Sequence, residues 1–122
     1  MSDIDITSKT MDGMGPLTPE QIKAGAKVWQ PVGPTSEPVA EGWLTPRQLT
    51  AEECRAMVGT WARAARNAVA AGFDAIEVHT AHGYLLASFL SPISNTRNDE
   101  YGGDLKGRMR LPLDIVEAVR RE

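Results

Sequence analysis

Phe73-Asp74-Ala75-Ile76-Glu77-Val78-His79-Thr80-Ala81-His82-Gly83-Tyr84 decides how this 122-residue chain is read. The first half alternates as a strand does, and Ile76 and Val78 carry β-branched side chains that suit an extended backbone. A strand of period two puts Phe73, Ala75, Glu77 and His79 on one face and Asp74, Ile76 and Val78 on the other. His79 and His82 are the two histidines of the chain. Three positions apart, they would face opposite sides of a straight strand. A bend at Ala81-His82-Gly83 predicts that both imidazoles and the Tyr84 phenol reach one mouth.

Upstream, Thr50-Ala51-Glu52-Glu53 is a capping box that opens a helix. Cys54, Met57, Val58, Trp61, Ala65, Ala68 and Val69 form its apolar stripe, with Arg55, Arg63 and Arg66 turned away. Gly72 closes that helix as a left-handed cap. Nearer the start, Thr18 caps a helix with Pro19 at its first position and Gln21 three residues after the cap, running to about Trp29. Residues 1–16 read as loop. Gln30 to Pro46 holds Pro31, Gly33, Pro34, Pro38, Gly42 and Pro46, which predicts a loop crossing a surface.

Downstream, Leu85 to Leu90 predicts a short helix stopped by Ser91-Pro92. A polar loop follows from Asn95 to Gly103, with Arg97 and Asp99 as an ion pair and Tyr101-Gly102-Gly103 as a tight turn. A last helix spans about Asp104 to Glu122. Pro112 predicts a bend or fresh start near Leu111. Leu113, Ile115, Val116 and Val119 supply its apolar face. Two parts result: residues 1–49, irregular with one short helix and a Pro-rich loop, and residues 50–122, a helix–strand–helix segment carrying the site. That order fits part of a parallel α/β fold.

Composition narrows the function classes. The chain is 42% hydrophobic, enough for a core. A net charge of −3, with no long basic block, argues against nucleic acid as partner. No apolar run is long enough to cross a membrane, and the first residues lack the pattern of a signal peptide. One cysteine, Cys54, allows no internal disulfide and fits a reducing cytoplasm. Its place in the helical stripe makes it buried filler.

Read from the residues alone, the central cluster has several meanings. The histidines fit ordinary loop positions, and Tyr84 fits a packing residue. Glu77, His79 and His82 also fit a three-ligand metal site. A catalytic cluster of two imidazole donors and a phenol is the third reading.

The run from Ala64-Ala65-Arg66-Asn67-Ala68 through Ala71-Gly72-Phe73 to Tyr84-Leu85-Leu86, then Phe89-Leu90-Ser91-Pro92, Asn95-Thr96-Arg97-Asn98-Asp99-Glu100-Tyr101-Gly102-Gly103, Arg108 and Arg110, resembles the Old Yellow Enzyme family. The likeness is continuous from about Thr45 to Arg121, with a weaker segment at Thr18-Pro19-Glu20-Gln21-Ile22. It implies a partial (β/α)8 TIM barrel, an α/β fold, with one clear strand at about Phe73 to Val78. It implies an FMN-dependent NAD(P)H oxidoreductase that reduces activated C=C bonds of enone-like substrates. In that pattern His79 and His82 bind the substrate oxygen and Tyr84 gives the proton. No residue of this chain is assigned to the flavin.

Two departures carry expectations of their own. The family's strand between Val28 and Pro31 is absent, and the sequence stops before the next strand, which in the family carries a flavin-binding arginine. A (β/α)8 barrel takes roughly 250 residues. The expectation is therefore a fragment or internally deleted form. By itself it would be inactive, with apolar faces open to self-association; the alternative function is a non-catalytic barrel segment.

Overall fold

The computed structural model describes residues 18–26, 30–38, 41 and 43–122. Four helices and one pair of very short strands occur among them. Helix α1 covers Pro19–Lys23, strand β1 Val32–Gly33, strand β2 Arg47–Gln48, helix α2 Ala51–Ala70, helix α3 Leu85–Leu90 and helix α4 Leu105–Arg120. The loop reading of residues 1–16 and the expected missing strand at residues 28–31 lie wholly or partly outside the described residues.

Local chemistry sets most of the boundaries. Thr18 and Gln21 exchange hydrogen bonds across the first turn of α1, at 2.7 and 3.2 Å. That helix is shorter than its sequence suggests. It ends at Lys23 rather than near Trp29, because Gly25 turns left-handed (φ 81°) and the Ala26 amide bonds back to Gln21. At α2 the Thr50 hydroxyl accepts from the Glu53 amide while the Glu53 carboxylate accepts from the Thr50 amide. The same carboxylate takes two bonds from Arg47, which hold it at a pKa of about 2. At the far end Gly72 (φ 89°) and Phe73 bond back to Val69 and Ala68, closing the helix in a Schellman turn.

The core gathers Leu49, Cys54, Leu86, Phe89, Tyr101, Leu111 and Ile115 between α2, α3 and α4. Cys54 is fully buried, as its place in the stripe predicts, and burial raises its thiol pKa. Val69 departs from the expected stripe and is half exposed. Helix α4 also differs from expectation. It runs unbroken through Pro112, which is buried together with Leu111 and Ile115. Proline there removes the amide that would bond the Arg108 carbonyl. Burial on the core side holds the helix together across that gap. Its apolar face is Leu111, Ile115 and Val119; Leu113 and Val116 are exposed.

Strands β1 and β2 pair in parallel, Val32 with Arg47 and Gly33 with Gln48. The Pro-rich stretch, expected as loop, thus supplies one strand of a ladder that the sequence does not announce. Residues 73–78, expected as the clear strand, form none. The segment carries no regular structure, with a bend at Asp74, and no described segment pairs with it in a ladder. A strand is a pairing, and period-two patterning supplies only one partner. The alternation survives at its end: Glu77 and His79 are exposed while Val78 and Thr80 are half-buried.

Candidate active site

Three rings meet just before the start of α3. His79 and His82 stack with centroids 5.5 Å apart and planes 27° apart. His79 and Tyr84 lie 5.4 Å apart, tilted by 53°. His79 is therefore the middle ring of the three. The expected convergence of both imidazoles and the phenol at one mouth is what the structure shows.

A tight turn produces it. The Tyr84 amide bonds the Ala81 carbonyl at 3.2 Å, and the two residues between are both left-handed, His82 at φ 55° and Gly83 at φ 72°. This is the pattern of a type I′ turn. It reverses the chain within two residues, so His82 returns beside His79 instead of across from it. Tyr84 then caps α3 with extended backbone (φ −69°, ψ −179°). The Ser88 amide bonds the Tyr84 carbonyl at 2.8 Å, so the helix grips the residue from below.

The scaffold beneath is rigid. Leu86 and Phe89 of α3 are buried in the core. Buried Asn95 donates to the carbonyls of Phe89 and Tyr101, at 2.7 and 2.8 Å. The Arg97 guanidinium lies 5.8 Å from the Phe89 ring centre and bonds both oxygens of Asp99, as the polar loop predicts. It also donates to the carbonyls of Pro34 and Leu49. Those long-range bonds have no sequence signal. They tie β1 and the start of α2 to the loop behind α3.

Chemically the mouth is a set of donors without internal partners. All three rings are exposed, Tyr84 by 52%. Among the described residues no side chain or main-chain group hydrogen-bonds to them. An incoming oxygen can therefore take an imidazole N–H or the phenol O–H at no cost in broken contacts. Among the described residues no group of three or more His, Cys, Asp or Glu is placed so that it could hold a metal ion. Position 82 also holds a feature that residue type alone conceals, since its positive φ shows only in the backbone.

Comparison with known proteins bears on the family and the fold. Residues 8–122 match the model of the NADH:flavin oxidoreductase / NADH oxidase family. An NADPH dehydrogenase of Clostridium acetobutylicum is 38% identical over 138 residues, covering 98% of this chain and 41% of that protein. An NADPH dehydrogenase of Bacillus licheniformis is 47% identical over 88 residues, 72% of this chain and 26% of that protein. In the first alignment, 98% of this chain fills only about 120 of the 138 positions, so the relative carries about 18 residues that have no counterpart here. Among solved structures, morphinone reductase in complex with tetrahydroNAD superposes with a TM-score of 0.73 at 34% identity, over 76% of this chain and 30% of that one. A 2-naphthoyl-CoA reductase gives 0.72 at 35% identity, over 76% of this chain and 14% of that one. The chain thus spans less than half the length of these relatives, and the fold is part of a (β/α)8 barrel. No helix among the described residues is long and apolar enough to cross a membrane. With its match running over nearly the whole sequence, the chain belongs to the NADH:flavin oxidoreductase / NADH oxidase family, the Old Yellow Enzyme group that its central stretch resembles.

Proposed function

We propose that the ring cluster is the substrate side of an FMN-dependent, NAD(P)H-driven reductase of enone-like C=C bonds. The single observation behind this reading is the convergence of His79, His82 and Tyr84, exposed and unpaired, at one mouth. The donor set suits such a substrate, because a carbonyl oxygen seeks N–H donors and the carbon two bonds away needs a proton. When bound, FMN supplies the hydride, itself drawn from NAD(P)H. His79 and His82 hold the substrate oxygen and stabilise the charge that grows on it; one such donor in a water-poor site is worth about 3 kcal/mol. Tyr84 gives its hydroxyl proton to the α-carbon, a role that suits a phenol still protonated at neutral pH. The described residues provide these donors and no assigned cradle for the flavin phosphate. The lone, buried Cys54 thiol favours a reducing compartment such as the cytoplasm.

A second reading has its own observation. Phe73, Ile76, Leu113 and Val116 are all exposed beside a backbone stretch without ladder partners. By itself the chain is then a non-catalytic barrel segment that self-associates through these faces. One experiment separates the two. FMN is added to the purified chain, unbound flavin is removed by gel filtration, and NADPH oxidation is followed with and without an enone. Retained flavin with enone-dependent oxidation supports the reductase. A colourless protein, or oxidation that ignores the enone, overturns it for this chain and leaves the segment reading.

A further inference from the structure

We propose that the left-handed pair His82–Gly83 is the positioning element of the ring cluster, the turn that holds the Tyr84 ring at His79. The inference deepens the reductase reading and rests on it for the meaning of the cluster, but not for the geometry. Three observations carry it. The Tyr84 amide closes the turn onto the Ala81 carbonyl at 3.2 Å, with φ of 55° and 72° at the two residues between. The His82 and Tyr84 rings both stand within 5.5 Å of His79. A Cβ built on Gly83 meets nothing within 4 Å.

The last observation gives the argument its edge. Most glycines kept for space have a neighbour that a methyl group would strike. Gly83 has none, so backbone conformation is what a side chain there would disturb. For most L-residues a positive φ brings Cβ against the adjoining carbonyl, and a β-branched residue pays the most. If position 83 returned to negative φ, the chain would leave Ala81 in another direction. Tyr84 would then start α3 from a different place, and its ring would lose His79.

His82 carries the same demand without being glycine. Histidine, asparagine and aspartate enter the left-handed region more readily than other side chains. Glutamine disfavours that region, so it strains the turn where asparagine does not.

Solution NMR on the full chain tests this without flavin or substrate. The readout is the set of nuclear Overhauser cross-peaks between the His79 and Tyr84 ring protons, with far-UV circular dichroism as the control for folding. Gly83→Val is expected to lose at least three-quarters of the cross-peak intensity at unchanged helix content, since the turn lies outside every helix. Gly83→Asn, which tolerates the left-handed region, is expected to restore most of it. His82→Asn is expected to keep the His79–Tyr84 signal, and His82→Gln to weaken it by half or more. Wild-type cross-peaks in Gly83→Val overturn the proposal. So does an equal loss in Gly83→Val and Gly83→Asn, because side-chain bulk and not φ would then decide. A chain that takes up no FMN yet shows this pattern refutes the reductase reading alone.

Discussion

Arg97 sits with its side chain 2% exposed, under the ring of Phe89 and between two segments far from it in sequence. Its guanidinium donates to carbonyls 63 and 48 residues upstream, and its planar fork grips Asp99 on the other side. Replacing Arg97 with Met keeps the length of the stem and removes all of these donors at once. The expected cost is about 3 kcal/mol in urea unfolding, because two buried carbonyls are left without a partner and the Asp99 carboxylate keeps only the Tyr101 amide. Arg97→Lys recovers little, since one ammonium cannot span that fork. Gly102 belongs to the same corner. A Cβ there would fall on the Arg97 backbone, which cannot move aside as a side-chain tip could. Gly102→Ala is therefore expected to lose roughly 2 kcal/mol or more, read as a fall in the urea midpoint. The ion pair two residues apart is legible in the sequence; the carbonyls it reaches are not, because nothing in Pro34 or Leu49 marks them as acceptors.

Helix α2 is the element best read in advance. Thr50 and Glu53 have the spacing of a capping box and Gly72 the place of a left-handed stop, and both do what their chemistry dictates. Thr50→Ala is expected to cost about 1 kcal/mol, measured by thermal or urea unfolding. Glu53 adds a pH test. Bonds from Arg47 and the Thr50 amide hold its carboxyl at about 2 in the folded chain, against 4.5 when free. A lowered folded pKa means that the stabilisation is full above 4.5 and fades as pH falls toward 2. The melting-temperature gap between wild type and Glu53→Gln should therefore shrink as the pH falls through that window; a constant gap would count against the ion-pair origin. Helices α1 and α4 show the opposite case. Gly25 could be read as tolerated or as a stop, and Pro112 as a break or as a buried wedge. Each choice depends on what packs alongside, which a local pattern does not contain.

In the whole molecule the segment from residue 73 to 78 organises the chain without being a strand in it. Its alternation and its delivery of His79 are legible because they depend on neighbours in sequence. Its ladder is not, because that depends on segments beside it in space, and none of the described residues take that place. The open side is apolar: Phe73 and Ile76 border a groove of about 330 Å³ with Val69, Val116 and Val119. If this face drives self-association, Ile76→Lys should shift the sedimentation profile toward monomer, whereas Arg63→Glu on exposed α2 should not. The ring cluster lies just past this face, and the proposed mechanism rests on Tyr84 giving the proton while the two histidines hold the oxygen. Rapid mixing of flavin-loaded protein, wild type against Tyr84→Phe, times each half of the reaction separately. The enone half is expected to slow by roughly a hundredfold, as loss of a general acid does, while flavin reduction by NADPH keeps its rate. Equal slowing of both halves, or of neither, would contradict it.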